Sequence, residues 1–192
     1  MRLLLMGPPG AGKGTQAKVL AARLGVPAIS TGDIFRANVA EETDLGVIAK
    51  RYMDAGEYVP DEVTNDMVRE RLAKDDAHDG FLLDGYPRTV DQVKTLDEML
   101  AEQQHPLERV LVLEVDRDEL VGRLLKRAEV EGRTDDTEEV VRRRQEVYAE
   151  ETAPLIEIYH QRDLVVSVEG TGEVDEVTER VLTALSSRDN AG

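Results

Sequence analysis

The sequence contains no cysteine, no tryptophan and only three histidines, and these absences exclude several kinds of chemistry. Without cysteine there is no disulfide, no catalytic thiolate and no thiolate ligand for a structural zinc ion. The histidines His78, His105 and His160 are widely spaced and do not replace such ligands. We therefore expect no structural zinc site, and we expect all three histidines on the surface without a ligand or relay partner.

Positive charge is also scarce, with 24 Lys and Arg against 40 Asp and Glu and a net charge of −16. Nucleic acids and anionic membranes are bound largely through clustered lysine and arginine, so we expect neither as a partner. No apolar run approaches the roughly 18 residues of a membrane span. The sequence thus predicts a soluble, cytoplasmic protein, and we expect a monomer.

Aromatic residues make up only 4% of the chain, but 41% of its residues are hydrophobic, which is enough for a core of Leu, Val, Ile and Ala. Short apolar runs alternate with longer amphipathic stretches, a pattern typical of βαβ units and a parallel sheet. The sequence predicts α/β architecture with five strands, over residues 2–6, 27–30, 80–84, 109–115 and 163–168.

Helices are predicted between these strands from apolar residues that recur at helical spacing. The stripes begin at Ala17, Val90 and Val174, and residues 31–74 leave room for three or four short helices, the last opening at Pro60. A longer helix is predicted over 137–162, with Asp136 as its N-cap and a bend at Pro154.

A glycine-rich segment, GPPGAGKGT at residues 7–15, follows the first predicted strand and precedes a helix. Glycines let backbone N–H groups converge on phosphate oxygens, the helix N-terminus adds partial positive charge, and Lys13 supplies a cation. The alternative is a tight turn with a solvated lysine, which the strand-loop-helix context disfavours. Gly14 follows the lysine where such loops usually have Ser or Thr, with Thr15 one residue later, so we expect no direct magnesium ligation by the loop.

The third predicted strand ends in Asp84-Gly85-Tyr86-Pro87-Arg88. The carboxyl ends of parallel strands line the ligand crevice of an open sheet, so Asp84 and Arg88 should lie beside the phosphate loop. A plain turn would explain Gly85, but it explains the acidic strand end and Arg88 less well. Asp84 is therefore a candidate to order water on a magnesium ion.

With both motifs in view, the chain resembles the adenylate kinases, in their short-lid form. Further family-like pieces are STGDIFR at 30–36, GEYVPD at 56–61, GRTDD at 132–136 and TAPL at 152–155. The resemblance implies a P-loop nucleoside triphosphate hydrolase-like fold with a core (1–29, 60–125 and 137–192), an AMP-binding lobe (30–59) and a lid (126–136). It also implies a cis Tyr86–Pro87 bond. The lid is too short for the metal-binding hairpin of some relatives.

The resemblance further implies reversible, magnesium-dependent transfer of the terminal phosphoryl group of ATP to AMP, giving two ADP. Its ATP-binding residues would be Gly10, Ala11, Gly12, Lys13, Gly14, Thr15, Arg123, Arg127 and Gly172. Its AMP-binding residues would be Thr31, Arg36, Glu57, Tyr58, Val59, Gly85, Tyr86, Pro87, Arg88, Gln92, Arg133 and Arg144. Its catalytic residues would be Lys13, Asp84, Arg88, Arg123, Arg133 and Arg144, with Asp84 acting on Mg²⁺ through water.

Two other functions stay open. A kinase for UMP or CMP would share the same loop, although Thr31 and Gln92 favour AMP within the family. A non-catalytic nucleotide-binding switch is disfavoured because no Asn-Lys-X-Asp guanine motif is present.

Overall fold

A computed structural model describes residues 1–116, 119, 120, 122–124 and 137–189 of the chain. Five strands, β1 (Arg2–Met6), β2 (Ala28–Ser30), β3 (Phe81–Asp84), β4 (Arg109–Glu114) and β5 (Val165–Glu169), form one parallel sheet in the order β2-β3-β1-β4-β5. The predicted five-stranded α/β fold is confirmed. The α-helices with both ends among the described residues are α1 (Lys13–Leu24), α2 (Thr31–Ala40), α3 (Asp44–Ala55), α4 (Asp61–Leu72), α5 (Val90–Glu102), α6 (Glu138–Val147), α7 (Leu155–His160) and α8 (Val174–Asp189). Residues 119, 120 and 122–124 are also helical.

Helices cover both faces of the sheet. Successive side chains of each strand point to opposite faces, so each strand contributes to two buried clusters. On one face, Leu3 and Leu5 of β1 belong to a buried cluster with Leu20 of α1 and Val181 of α8. On the other, Leu4 and Met6 pack in a second cluster with residues of α5 and α7. The nearly continuous apolar character of the strands follows from this double burial.

The strand register places the three functional strand ends side by side. Leu5 of β1 is paired with Asp84 of β3, and Asp84 is also paired with Ser30 of β2. The glycine-rich loop after β1, the acidic end of β3 and the start of α2 after β2 therefore meet at one edge of the sheet.

Between β2 and β3, helices α2 and α3 pack closely through Gly46. A Cβ atom added at Gly46 would lie 2.0 Å from the Asn38 carbonyl oxygen of α2. Three helices, α2, α3 and α4, fill the interval for which three or four were predicted. Helix α4 begins at Asp61, directly after Pro60, and carries Glu62 in its first turn as expected.

The predicted helix over 137–162 is corrected in two respects. Its N-cap is Thr137, whose hydroxyl accepts the Val140 N–H at 3.4 Å, and not Asp136, which lies outside the described residues. The segment is also divided into α6, a π-helical turn (Tyr148–Thr152) and α7. The π turn comes directly before Ala153 and Pro154, where proline cannot supply a helical N–H.

The first residues of two helices differ from the expected apolar stripes. Val90 and Val174 are 48% and 41% exposed, because each is the first residue of its helix and only the later apolar positions reach the core.

His78 and His160 are exposed and His105 is partly exposed. The rings of His78 and His105 lie edge to face with centroids 5.1 Å apart, a contact that is neither metal ligation nor a proton relay. Of the described helices, none is long and apolar enough to cross a membrane.

Gly46→Ala should destabilise the protein even though alanine favours helices, since the new methyl group would overlap the backbone of α2. Overpacking of this kind costs about 1–3 kcal/mol. Thermal unfolding should show a melting temperature lowered by roughly 2–4 °C for each kcal/mol. The neighbouring Val47→Ala, at a position 60% exposed, is the control and should change the melting temperature little.

Candidate active site

The segment between β1 and α1 has the backbone of a phosphate-binding loop. Gly7, Gly10 and Gly12 have φ angles of 144°, 89° and 87°, values that favour glycine. At Gly7 a Cβ atom would also lie 2.7 Å from the Leu113 carbonyl oxygen. Gly12 is the N-cap of α1 and provides no side-chain cap, so the first N–H groups of the helix remain available for an anion.

Lys13 begins α1 and folds back over the loop. Its Nζ donates to the carbonyl oxygens of Gly7 at 2.8 Å and of Pro8 at 3.1 Å. The same lysine lies near Asp84 and lowers the pKa of that carboxyl, against the larger effect of burial. The ammonium group is thus held between the loop and the acidic end of β3.

Asp84 is the buried acidic group of the site, with 8% of its surface exposed. Burial raises the pKa of Asp84 above its usual value, Lys13 and Arg88 oppose this, and Asp33 reinforces it. Its Oδ1 has no hydrogen-bond partner within the described part of the chain. A buried carboxylate oxygen without a partner suits a hydrated divalent cation, because Mg²⁺ prefers oxygen ligands and usually keeps several of its waters.

A second group of side chains surrounds Gly85, which has a φ of 83°. The buried Thr31 hydroxyl donates to the Gly85 carbonyl at 2.9 Å, and Arg88 Nε donates to the same oxygen at 2.7 Å. The Tyr86–Pro87 bond that follows is cis, as the family resemblance implied.

Arg88 is held from three directions. Its guanidinium carbon lies 4.9 Å from the centroid of the Tyr58 ring, a cation–π contact. Its carbonyl oxygen accepts a hydrogen bond from the Thr152 hydroxyl at 2.9 Å. Because the proton of Thr152 is used there, the Tyr58 hydroxyl donates to the Thr152 oxygen at 2.7 Å. Its backbone N–H donates to Gln92 Oε1 at 2.7 Å. The residues of the π turn therefore help to fix an arginine that is distant in sequence.

The three consecutive arginines of α6 have different surroundings. Arg142 is exposed and pairs with Glu138 at 2.8 Å, while Arg143 pairs with Glu57 at 2.7 Å and with Glu146 at 3.3 Å. Arg144 is half-buried, reaches the Met53 carbonyl at 3.5 Å and lines the cavity. The structure therefore distinguishes Arg144 from Arg142 and Arg143 as the arginine that faces the cavity. Residue spacing alone does not make this distinction.

A cavity of about 770 Å³ brings most of the predicted site residues together. Its lining includes Gly10, Gly12, Lys13, Gly14, Thr15, Thr31, Arg36, Glu57, Tyr58, Val59, Asp84, Gly85, Tyr86, Pro87, Arg88, Gln92, Arg123 and Arg144. Ala11 is a buried residue of the loop, and Gly172 lies after β5. Neither is part of this lining. Arg127, Arg133 and the predicted lid at 126–136 lie outside the described residues.

Arg123 connects the cavity to the loop that contains Gly172. Its guanidinium donates to the Gly170 carbonyl at 3.3 Å and pairs with Glu119 at 3.0 Å. Arg180 donates to the Thr171 carbonyl at 2.7 Å, so this loop is held from two sides.

Sequence reasoning missed several residues of the site. Thr152 and Tyr148 line the cavity, and Gln145 Nε2 donates to the Pro9 carbonyl of the phosphate loop at 2.8 Å. Thr152 begins the TAPL piece, which was recognised as family-like but given no role. Gln145 had no signal of its own, because it lies among charged residues on a polar helix.

A loop of this geometry holds polyphosphate, and across one cavity it faces arginines that can hold a second phosphate group. The fold and the site define a nucleotide-binding protein of the P-loop class. A family profile described as adenylate kinase matches residues 5–164. The chain is 70% identical to an adenylate kinase of a Nocardioides species, over 96% of this chain and 97% of that one.

Two other relatives that are also named adenylate kinase support the assignment. The chain is 60% identical to an adenylate kinase of Kocuria rhizophila, over 96% of this chain and 98% of the relative. It is 56% identical to one of Thermobifida fusca, over 98% and 100%. The chain therefore belongs to the adenylate kinase family, whose members are nucleoside monophosphate kinases.

The described residues also bear on metal binding. No group of three or more His, Asp or Glu side chains within the described ranges is placed to hold a metal ion directly. The unpartnered Oδ1 of Asp84 suits contact with a hydrated cation through the waters of that cation.

Asp84→Asn should stabilise the protein without substrate and impair its turnover. In the wild type, ionisation of a buried carboxyl with a raised pKa costs folding free energy at neutral pH. The variant should therefore melt at a higher temperature than the wild type at neutral pH. This advantage should shrink as the pH falls, because Asp84 takes up its proton in the folded protein before the unfolded chain does. Turnover with ATP and magnesium should fall roughly tenfold or more, and an equally active variant would contradict the role of Asp84.

Gly85→Ala should weaken AMP binding more than it weakens the fold. The added Cβ would lie 2.6 Å from Thr31 Oγ1 and 2.9 Å from an Arg88 guanidinium nitrogen. We expect KM for AMP to rise about tenfold, the effect of roughly 1.4 kcal/mol. Gly25→Ala is the matched control, since Gly25 also has a positive φ of 68° but no atom within 4 Å of the new methyl group. It should show a similar loss of melting temperature with normal KM values.

Proposed function

We propose that the protein catalyses the reversible transfer of the terminal phosphoryl group of ATP to AMP, giving two ADP. The observation that carries this proposal is that the phosphate loop and the residues Thr31, Arg88 and Gln92 line the same cavity. The relatives described above are named adenylate kinase, and the chain is similar to them over nearly their whole length.

Phosphoryl transfer demands positioning and charge neutralisation more than covalent chemistry by the protein. The phosphate of AMP is already an anion, so no general base is needed to create the nucleophile. Lys13, Arg36, Arg88, Arg123 and Arg144 all line the cavity. In the proposed mechanism they align the two phosphate chains in line and neutralise the charge shared by the attacking and leaving oxygens.

Magnesium enters this proposal as part of the substrate, bound to the ATP phosphates. When bound, it would neutralise charge on those phosphates. Asp84 would hold its waters, and Lys13, which lies near Asp84 and lowers the pKa of that carboxyl, would contact the same phosphates. Gly14 leaves no hydroxyl directly after the lysine, so the loop itself would not ligate the ion.

The proposed division into core, AMP-binding lobe (30–59) and lid (126–136) assigns a further task to the smaller parts. ATP would be hydrolysed if water reached the γ-phosphate, so closure over the substrates would protect it. We assign Arg127 and Arg133 to the lid side of the cleft and Gly172 to the ATP base. The cytoplasmic, monomeric state and the lack of a nucleic-acid or membrane partner stay predictions from composition.

The acceptor is tested by measuring ADP or the corresponding diphosphate with ATP, magnesium and each of AMP, UMP, CMP and GMP. AMP should give the highest kcat/KM. If UMP or CMP were the best acceptor, the substrate assignment would be wrong while the phosphoryl-transfer reaction stood. If no acceptor were phosphorylated, a non-catalytic nucleotide-binding protein would be indicated.

Arg144→Ala and Arg142→Ala provide a matched pair on one helix. Arg144 lines the cavity, whereas Arg142 is exposed and pairs with Glu138. A well-placed arginine contributes ~10³–10⁵ in rate to phosphoryl transfer. We expect kcat of Arg144→Ala to fall by about 10² or more, with an unchanged melting temperature, and Arg142→Ala to stay near wild type. Equal activity in the two variants would refute the assignment of Arg144.

A further inference from the structure

Gln92 lines the cavity and is buried, with 1% of its surface exposed. Both the oxygen and the nitrogen of its side-chain amide form hydrogen bonds within the protein. Its Oε1 accepts the Arg88 backbone N–H at 2.7 Å, and its Nε2 donates to Asp61 Oδ1 at 2.7 Å. A backbone N–H can only donate, and an ionised carboxylate can only accept. The two partners therefore permit one orientation of the amide and oppose the flipped one.

Asp61 is itself held in place by the start of α5. Its second oxygen, Oδ2, accepts the Thr89 hydroxyl at 2.7 Å, and Thr89 caps that helix by accepting the Gln92 N–H at 3.2 Å. Asp61 is also the first residue of α4, directly after the segment proposed as the AMP-binding lobe. The carboxylate is thus fixed by both helices, and it does not depend on a substrate for its position.

The fixed amide still has hydrogen-bonding capacity to offer a ligand. An amide nitrogen carries two N–H groups and an amide oxygen two lone pairs, and one of each is used by Asp61 and Arg88. One donor and one acceptor remain, at defined ends. A 6-aminopurine presents a donor at its exocyclic group and an acceptor at the adjacent ring nitrogen, whereas a 6-oxopurine presents the reverse. An amide that can flip serves both bases, and an amide that cannot flip serves one.

We propose that Asp61 is a positioning residue for base selectivity, which locks the Gln92 amide in the orientation that accepts a 6-aminopurine monophosphate and rejects a 6-oxopurine monophosphate. This inference rests on the proposed function, because it assumes that AMP occupies the cavity beside Gln92. Asp61 does not contact the base in this account. It acts only through the orientation of Gln92, so its loss should change selectivity more than it changes the rate of phosphoryl transfer.

The test compares kcat/KM for AMP with kcat/KM for inosine monophosphate, which differs from AMP only at the 6-position and the protonation of the adjacent nitrogen. In Asp61→Ala the AMP preference should fall about tenfold, the effect expected for losing one hydrogen bond to a charged group. The change should appear mainly in KM for AMP, with kcat at saturating AMP altered far less. Asp61→Asn keeps an acceptor for Gln92 but also carries an N–H donor that tolerates the flipped amide, so its preference should lie between those of wild type and Asp61→Ala.

Glu62→Ala is the control, because it removes the neighbouring negative charge from the same first turn of α4 at an exposed position. It should leave the preference unchanged. If Asp61→Ala does not fold, Asp61→Ser replaces it, since serine suits a helix start but its hydroxyl is too short to reach Gln92. A wild-type preference in the folded Ala or Ser variant would overturn the inference.

Activity of the wild type and of Gln92→Met distinguishes a failure of this inference from a failure of the proposed function. If the wild-type protein forms no ADP from ATP and AMP, the proposed function fails. If the wild type is active but Gln92→Met keeps the full AMP preference, Gln92 does not read the base and the inference fails with the site assignment. If Gln92→Met loses the preference and Asp61→Ala keeps it, only the role of Asp61 is refuted.

Discussion

The parallel pairing of β3 with β1 and β2 is the constraint on which the rest of the site depends. Backbone hydrogen bonds set Leu5 beside Asp84 and Asp84 beside Ser30. Because parallel strands end at the same edge, this register brings the phosphate loop, the buried carboxylate and the start of α2 within reach of one ligand. A shift by one residue would turn Asp84 to the opposite face of the sheet and replace it with an apolar neighbour.

The charge of the protein is unevenly distributed, and the cleft is the exception to the acidic remainder. Acidic residues outnumber basic ones 40 to 24 in the chain, yet six cations and only three carboxylates line one cavity. Most are also restrained by the protein, such as Arg36 by Asp33 at 2.5 Å and Arg88 by the Gly85 carbonyl. Restrained cations are already oriented when a substrate arrives, which is the condition for electrostatic catalysis at low reorganisation cost. The acidic exterior disfavours nonspecific binding of anions elsewhere on the surface.

Much of the fold was predictable because its signals are local. Short apolar runs indicated all five strands to within two residues, and the spacing of glycines with Lys13 indicated the phosphate loop. The strand order was not predictable from these patterns, since the pairing of β1 with β3 joins segments some eighty residues apart in the sequence. Local signals also failed at helix starts, where Thr137 provides the cap and Val90 and Val174 face solvent.

The site was predictable to the extent that its residues lie in recognisable motifs. Asp84 and Arg88 belong to one such stretch, Gln92 was assigned from the family resemblance, and the cavity contains all three. Nothing in the run Arg142-Arg143-Arg144 distinguishes its members, because the difference lies in which carboxylates and carbonyls surround each one after folding. The same holds for Thr152 and Asp61, whose hydrogen-bond partners are distant in sequence. Long-range polar contacts of this kind need the structure.

The central claim is that one cleft holds two nucleotides with their phosphate chains facing each other. Calorimetry with a compound that joins two adenosines through five phosphates tests it most directly. The account predicts one molecule bound per chain, at least about 10²-fold tighter than ATP or AMP alone, with both nucleotides displaced. Binding no tighter than ATP, or AMP that still binds beside the compound, would contradict it.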